Sequence, residues 1–254
     1  ISEKKFSKIK VNGNNLNMWM IKPKDFDPNK KYPLLMFQYS GPGSQQVANK
    51  WNNLNDYWHQ SLAQEGYIVA CVDGRGTGFR GSKFKKVTYM KLVYFETLDQ
   101  IEAARKLGQE TFIDEDRIGI WGWSYGGHMS TNCLLKGNDV FSLAIAVAPV
   151  TSWRFYDTIY TERFMRTPQE NPEGYDLNSP FNYPELLEGD YLLVHGSGDD
   201  NVHLQNTMRM AEALVEANKP FELMIYPDKN HGIYGGNTRM HLYNKMTNFI
   251  LNKL

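Results

Sequence analysis

The sequence has little cysteine, no surplus of either charge and no long apolar run. Its 254 residues include only two cysteines, Cys71 and Cys133, too few for the network of bridges that holds small secreted scaffolds together. Basic and acidic side chains are balanced at 28 each, which argues against nucleic acid or an anionic membrane as the partner. The longest apolar stretch, residues 143–150, is far shorter than the roughly 20 residues that a membrane-spanning helix needs.

The first residue is Ile1 rather than methionine, and it leads directly into a polar segment. We therefore expect it to be part of a longer polypeptide, with targeting information and another domain upstream. The chain contains no internal repeat and no low-complexity linker, and its length suits one large core better than two. The expected organisation is a single domain over residues 1–254.

Short apolar runs along the chain predict strands. At the start, strands are predicted at 6–11 and 17–21 around the turn Asn12-Gly13-Asn14-Asn15, because Asn-Gly readily adopts the positive φ angles of a hairpin. Six later runs have the composition of strands buried on both faces, as in a parallel sheet. They lie at 33–39, 67–73, 117–121, 142–148, 191–196 and 221–226.

Helices are predicted between the strands, from apolar side chains spaced three or four residues apart. One apolar stripe consists of Leu98, Ile101, Ala104 and Leu107, and another consists of Leu204, Met208, Ala211 and Val215. The alternation of strand and helix predicts a doubly wound, mostly parallel α/β sheet with an N-terminal antiparallel hairpin. Ligands of such sheets bind at the carboxyl ends of the strands.

The motif Gly122-Trp123-Ser124-Tyr125-Gly126-Gly127 follows one of the predicted strands and precedes a predicted helix. It fits the G-x-S-x-G pattern of the nucleophile turn in α/β-hydrolases. Glycines on either side let the strand and helix pass closely, and the serine lies over a helix N-terminus that favours a developing oxyanion. Ser124 is therefore the candidate nucleophile, and a plain tight turn is the alternative.

A serine hydroxyl needs a base and an orienting acid to react at neutral pH. In α/β-hydrolases the acid follows a late strand and the base follows the last one. Of the six histidines, only His231 lies just beyond the last predicted strand, whereas His195 falls within a predicted strand. Asp199 and Asp200 both follow the preceding strand, and spacing favours Asp199 without excluding Asp200.

A stripe of large side chains follows the strand predicted at 142–148. Val150, Trp153, Tyr156 and Tyr160 recur at intervals of three and four residues, which predicts one helical face carrying three aromatic rings. Core packing is the ordinary explanation of such a stripe. Because this one begins at a strand end, it can also line an apolar pocket beside Ser124.

Two further patterns do not predict a ligand. Gly76-Thr77-Gly78-Phe79-Arg80-Gly81 has the glycine spacing of a dinucleotide-binding turn, but no helix opens within it. The acids that would contact a ribose, Glu96 and Asp99, fall inside a predicted helix, so we expect a loop. The histidines and acids between residues 195 and 203 lack a recognised zinc spacing, and no metal is expected.

Three segments resemble the catalytic domain of the dipeptidyl peptidases in the prolyl oligopeptidase family of serine peptidases, its bacterial members in particular. They are residues 122–127, the run Val194-His195-Gly196-Ser197-Gly198-Asp199-Asp200-Asn201-Val202-His203, and Asp228-Lys229-Asn230-His231-Gly232. The resemblance extends from about Lys31 to the C-terminus. It implies an α/β-hydrolase fold and an enzyme that releases N-terminal dipeptides through an acyl-enzyme, by cleaving after proline or alanine at the penultimate position.

The resemblance also implies a role for each site residue. The catalytic groups would be Ser124 as nucleophile, His231 as base, Asp199 as acid, and the Tyr39 hydroxyl with the Tyr125 backbone N–H as oxyanion donors. Asn201 would bind a substrate carbonyl. The proline pocket would consist of Tyr125, Val150, Trp153, Tyr156, Tyr160 and Val202. Neither a cofactor nor a metal is implied.

As partners, the resemblance implies peptides with a penultimate proline, an N-terminal β-propeller of the same polypeptide and a second copy in a homodimer, at an extracytoplasmic location. No propeller repeat occurs in these 254 residues, so the hydrolase half alone supports the dipeptidyl specificity. Prolyl tripeptidyl peptidases and oligopeptidases share the same elbow. A carboxylesterase would share the triad, but its oxyanion hole usually includes an HGGG-type loop, where this chain has Tyr39-Ser40-Gly41-Pro42-Gly43.

Overall fold

Eight strands form one sheet in the structure, a computed structural model that describes residues 1–51 and 53–254. The strands are β1 (Lys4–Val11), β2 (Asn14–Ile21), β3 (Tyr32–Phe37), β4 (Ile68–Asp73), β5 (Ile113–Trp123), β6 (Leu143–Val147), β7 (Asp190–Gly196) and β8 (Glu222–Tyr226). Their order across the sheet is β1-β2-β4-β3-β5-β6-β7-β8. Only β2 pairs antiparallel, with β1 and β4. The predicted mostly parallel sheet with an antiparallel hairpin is confirmed.

The hairpin turn consists of two residues rather than four. Asn12 and Gly13 both have positive φ angles, 48° and 76°, as the two central residues of a type I′ turn require. Val11 therefore pairs with Asn14, and β2 begins three residues earlier than the apolar pattern predicts. Polar residues at the start of β2 hid that part of the strand from a pattern based on apolar side chains.

Helices cover both faces of the sheet. They are α1 (Asn53–Gln64), α2 (Ser82–Lys86), α3 (Tyr94–Gly108), α4 (Tyr125–Lys136), α5 (Thr158–Met165), α6 (Pro172–Asp176), α7 (Gln205–Glu216) and α8 (Thr238–Lys253). Side chains of α3, α4 and α7 share one apolar core, and those of α1 and α8 share another. Alternate residues of β6 belong to the two cores, because successive side chains of a strand point to opposite faces.

Helix α7 lies where the sequence predicts it, but of its predicted apolar stripe Ala211 is buried while two other residues face solvent. Met208 and Val215 are 47% and 68% exposed. The face of α7 that packs inward is instead partly polar, and its buried residues are Asn206, Thr207, Met210, Ala211 and Leu214. The two polar residues are tolerated there because each hydrogen-bonds to a buried partner, Thr151 and His195 respectively.

Both cysteines belong to the core. Cys71 lies on β4 and Cys133 on α4, and both are unbridged and buried. Burial raises the pKa of both thiols, so they stay protonated and weakly nucleophilic. Among the helices of residues 1–51 and 53–254, none is both long enough and apolar enough to cross a membrane.

Candidate active site

Ser124 lies on a sharp turn between β5 and α4, at the C-terminal edge of the sheet. Its φ is 60°, which residues with a side chain rarely adopt, and its N–H donates to the Val147 carbonyl at 2.8 Å. A Cβ at Gly122 would lie 2.4 Å from the carbonyl oxygen of Gly126, and one at Gly126 would lie 2.6 Å from that of Gln38. The strand and helix meet this closely only because both positions are glycine, as the motif predicts.

Tyr39 follows β3, and its hydroxyl lies close to the side chain of Ser124. Burial raises the pKa of Tyr39 and its interaction with the Ser124 side chain offsets part of that rise, so the hydroxyl remains protonated at neutral pH. The neighbouring Gln38 fixes this loop to α4. Its Nε2 donates to the Gly126 carbonyl at 2.7 Å and to Ser130 Oγ at 3.0 Å.

Asp199 is buried just beyond the end of β7. Its Oδ1 accepts hydrogen bonds from the backbone N–H groups of Asn201 and Val202, both at 2.9 Å. Its Oδ2 lies 2.7 Å from His231 Nδ1 and 3.2 Å from His195 Nε2. Burial alone would raise the pKa of Asp199, but the hydrogen bonds from both histidines and from the backbone hold it well below its usual range.

Of the two adjacent acids, the structure brings Asp199 to His231, while Asp200 is exposed. The Asp199 carboxylate accepts the Nδ1 hydrogen of His231, which leaves Nε2 as the basic nitrogen. The His231 side chain keeps 22% of its surface exposed, so part of the ring is accessible from the site. Ser124, Asp199 and His231 thus follow the parallel strands β5, β7 and β8, in the chain order that the sequence predicts.

The loop that carries His231 packs directly on the end of β7. A Cβ at Gly196 would lie 2.2 Å from the carbonyl oxygen of Lys229, and Gly198 N–H donates to the same oxygen at 3.0 Å. Trp123 adds a second anchor, because its Nε1 donates to the His231 carbonyl at 3.0 Å. The residue before Ser124 therefore holds the loop that carries the histidine.

The six side chains of the predicted pocket belong to one cluster. Its centre is Trp153, whose ring centroid lies 5.5 Å from that of Tyr125, 6.0 Å from Tyr156 and 5.9 Å from Tyr160. Val150 and Val202 are buried in the same apolar core. The Tyr156 hydroxyl donates to Asn201 Oδ1 at 2.7 Å, so the predicted carbonyl-binding residue stands at the rim of the cluster.

The prediction that one helical face carries the three rings is wrong. Trp153 lies in a short 3₁₀ turn, Tyr156 is extended, and Tyr160 lies in the first turn of α5. Asp157 separates them because it caps α5: its backbone is extended, and its side chain accepts the Tyr160 N–H at 2.8 Å. The rings therefore meet through a bend in the chain before α5 rather than along one face of a helix.

Two residues of the site are missed by sequence reasoning. Glu96 accepts a hydrogen bond of 2.6 Å from the Tyr125 hydroxyl, and the fully buried His195 has its Nε2 3.2 Å from Asp199 Oδ2. In the sequence, Glu96 stands out only as a rejected ribose ligand and His195 only as a strand residue. The available signal was burial itself, because a charged or imidazole group in a buried element needs a specific partner.

Comparison with known proteins adds a family and several relatives. The family model described as the prolyl oligopeptidase family matches residues 53–254. The crystal structure of Porphyromonas gingivalis dipeptidyl peptidase 4 matches 100% of this chain with a TM-score of 0.97 and 55% sequence identity. This agreement identifies the fold as an α/β-hydrolase fold.

Two curated relatives are similar over nearly the whole chain. A protein named "Probable dipeptidyl-aminopeptidase B" from Coccidioides posadasii (strain C735) is 43% identical over 250 residues, 97% of this chain. "Prolyl endopeptidase FAP" of Mus musculus is 47% identical over 247 residues, 95% of this chain. The chain spans only 27% and 32% of the lengths of these two proteins, and 36% of the P. gingivalis structure.

Proposed function

Because the chain belongs to the prolyl oligopeptidase family, we propose that it is the catalytic part of a serine peptidase that releases N-terminal dipeptides after proline or alanine. The observation that carries the proposal is the 2.7 Å contact between His231 Nδ1 and Asp199 Oδ2. A buried acid in this position orients the imidazole so that its other nitrogen can take a proton from a serine. Ser124, on its tight turn, is the serine we assign.

The proposed reaction passes through an acyl-enzyme. Ser124 Oγ forms a bond to the carbonyl carbon of the substrate proline while His231 Nε2 takes the hydroxyl proton. The carbonyl oxygen becomes an oxyanion. When this intermediate collapses, the C–N bond breaks and His231 gives the proton to the leaving amine. Water then attacks the ester, again through His231, and Ser124 is restored. Asp199 stays ionised throughout, in agreement with its lowered pKa.

The oxyanion is stabilised by two donors. One is the hydroxyl of Tyr39, which already contacts the Ser124 side chain. The other is the backbone N–H of Tyr125, which has no acceptor within the helix because Tyr125 is the first residue of α4. Two fixed donors beside the reacting carbon stabilise the charge that develops there.

The pocket is suited to proline because it is apolar and aromatic. A proline ring offers only hydrocarbon surface and has no backbone N–H to satisfy, so burying it against Trp153 and Tyr160 adds no unpaired polar group from the substrate ring. Asn201 accepts from the Tyr156 hydroxyl through Oδ1, so its NH₂ group is the part available to a substrate carbonyl. Alanine enters the same pocket as a smaller apolar side chain.

We assign the choice of product length to chain outside these residues, in an N-terminal β-propeller of the same polypeptide, and expect the whole protein to form a homodimer. Support comes from the relatives, of which this chain spans only 27% to 36%. A prolyl endopeptidase is the second candidate, favoured by the 47% identity to the mouse relative of that name. Both candidates use the same catalytic groups.

Labelling with a serine-reactive phosphonate tests the nucleophile. A Gly-Pro diphenyl phosphonate should attach to Ser124 of the whole protein, and peptide mapping by mass spectrometry should locate the adduct. Ser124→Ala should abolish labelling while leaving the folded protein intact. An adduct at another serine, or undiminished labelling of Ser124→Ala, would remove Ser124 from this role.

Three substrates test the specificity. The proposal predicts rapid cleavage of Gly-Pro anilide and loss of cleavage when the amino group is acetylated. Cleavage of both anilides would favour the endopeptidase, because such an enzyme does not require the free amine. Hydrolysis of a short-chain phenyl ester without hydrolysis of either anilide would instead indicate a carboxylesterase.

A further inference from the structure

A second histidine contacts the carboxylate that orients His231. His195 is the penultimate residue of β7, and its side chain is completely buried. Its Nε2 lies 2.7 Å from the Val202 carbonyl oxygen and 3.2 Å from Asp199 Oδ2, and its Nδ1 lies 2.7 Å from Thr207 Oγ1. Both ring nitrogens therefore have protein partners.

These partners determine where the hydrogen of the His195 ring lies. A carbonyl oxygen can only accept, so Nε2 carries the hydrogen that is donated to Val202. Asp199 Oδ2 lies 3.2 Å from the same nitrogen, so the carboxylate also faces this N–H, whose main acceptor is Val202. In the neutral ring Nδ1 has a lone pair, which can accept a hydrogen bond from the Thr207 hydroxyl.

We propose that His195, as the neutral Nε2–H imidazole, is a positioning residue that holds the Asp199 carboxylate in the orientation that His231 requires. This inference rests on the proposed function. With His195 in place, each oxygen of Asp199 faces two donors: the N–H groups of Asn201 and Val202 at Oδ1, and the two imidazoles at Oδ2. The carboxylate cannot turn about its Cβ–Cγ bond without losing several of these contacts.

The same ring also braces the chain between the acid and the pocket. Val202 gives its N–H to Asp199 Oδ1 and its carbonyl oxygen to His195 Nε2, so both polar groups of this pocket residue are held. Thr207, on the inward face of α7, supports the ring from behind. Packing against an apolar core does not require the buried hydroxyl of Thr207, and its hydrogen bond to His195 explains why a threonine stands there.

Replacing His195 by residues that lack or keep the N–H group tests the proposal. His195→Leu removes the donor and retains much of the volume. For this variant we expect kcat on Gly-Pro anilide to fall about 10- to 100-fold, the range for loss of a hydrogen bond to a charged group. KM should stay within about twofold, because His195 lies behind Asp199 rather than in the pocket, and its loss affects the reaction more than ground-state binding.

His195→Gln is the conservative variant. Its side-chain amide nitrogen is the same number of bonds from Cβ as imidazole Nε2, so it can donate to Val202 and Asp199. We expect its kcat to recover to within about fivefold of wild type, the scale of one ordinary hydrogen bond. His241→Leu serves as the matched control, because His241 is an exposed histidine of α8, hydrogen-bonded only to Tyr226 among the bonds described for its side chain, and its kcat should be unchanged.

A spectroscopic measurement keeps the test valid if His195→Leu does not fold. Long-range ¹H–¹⁵N spectra of the whole wild-type protein, labelled at histidine and assigned with His195→Gln, should show the hydrogen of His195 on Nε2. A neutral ring with its hydrogen on Nδ1 would overturn the proposed donation to Asp199, and hydrogens on both nitrogens would overturn the proposed neutral form. Thr207→Val removes only the donor to Nδ1 and should lower kcat less than His195→Leu does.

The inference and the proposed function fail in different ways. If the wild type neither cleaves the anilide nor reacts with the phosphonate, the proposed function is wrong and this inference falls with it. If the wild type is active and a folded His195→Leu has the same kcat, only the inference is wrong. A Gln variant as slow as the Leu variant would also overturn it, because the shape of the ring rather than its N–H group would then matter.

Discussion

The Tyr125 hydroxyl donates a hydrogen bond of 2.6 Å to Glu96 Oε1, and this glutamate is completely buried in the first turn of α3. Burial raises the pKa of Glu96 to about 7, although the hydrogen bonds from Tyr125 and from backbone N–H groups oppose the rise. Its second oxygen has no hydrogen-bond partner. The side chain next to the nucleophile thus rests on a carboxyl group that titrates near neutral pH.

Glu96→Gln should change how stability depends on pH. The folded-state pKa is about 7 against an ordinary value of 4.5, so the native state binds the proton more tightly and its stability falls as the pH rises from about 4.5 to about 7. That fall amounts to about 3 kcal/mol for a shift of this size. Gln cannot titrate, so urea unfolding of the variant should lack this loss.

The control for this prediction is Glu102→Gln, a partly exposed glutamate on the same helix. Its free energy of unfolding should follow that of the wild type from pH 4.5 to 8. If Glu96→Gln and the wild type also differ by the same amount at every pH, Glu96 does not titrate in this range and the assignment is wrong.

Tyr39→Phe should slow turnover while leaving binding almost unchanged. The hydroxyl that contacts Ser124 would be lost, and removing one oxyanion donor costs about 10²- to 10³-fold in kcat, or roughly 3 to 4 kcal/mol. Steady-state kinetics on Gly-Pro anilide measure the effect. Tyr57→Phe, at an exposed tyrosine of α1, should match the wild type, and a fully active Tyr39→Phe would exclude Tyr39 from the oxyanion hole.

Asp199→Asn and Asp200→Asn form a matched pair. The amide cannot hold His231 as the ionised carboxylate does, so Asp199→Asn should lower kcat about 10⁴-fold. Asp200 is exposed, and its amide variant should stay close to wild-type activity. The reverse ranking of the two variants in anilide hydrolysis would mean that the acid has been assigned to the wrong member of the pair.

Tyr156→Phe should weaken substrate binding more than it slows the chemical step. Without the hydroxyl that donates to Asn201 Oδ1, the amide is free to turn and its NH₂ group no longer faces the substrate carbonyl consistently. A hydrogen bond of this kind contributes about 1 kcal/mol, so KM should rise about fivefold. Equal losses in kcat and in kcat/KM would place the effect in the transition state and contradict this role.

Much of the site could be predicted because its local patterns have strict steric causes. A Cβ at Gly122 or Gly126 would collide with neighbouring backbone, so the motif alone predicts the tight turn that carries Ser124. The position of His231 after the last strand follows from the topology of parallel sheets. Spacing favours Asp199 without excluding Asp200, because spacing along the chain does not show which carboxylate turns inward, and the family resemblance was needed to choose between them.

The rest depends on contacts between residues distant in sequence. Glu96 and Tyr125 are 29 residues apart, and nothing in either local pattern indicates that their side chains meet. The aromatic stripe from Trp153 to Tyr160 has helical spacing but does not lie on one helix. Asp157 caps the N-terminus of α5, so the helix begins only after it. The inward face of α7 carries Asn206 and Thr207 beside three apolar residues, and a pattern based on apolar side chains does not detect these two polar residues.

The parallel order of β5, β6, β7 and β8 has a consequence for how activity arises during folding. Every pairing in this half of the sheet joins segments separated by a long crossover, and such non-local pairings form slowly compared with helices. Ser124, Asp199 and His231 follow β5, β7 and β8 respectively, so the triad is assembled only when all three strands are in place. During refolding, peptide hydrolysis should therefore recover after the helical circular dichroism signal. Recovery of hydrolysis then reports that β5 to β8 have paired, and not merely that the chain has become compact.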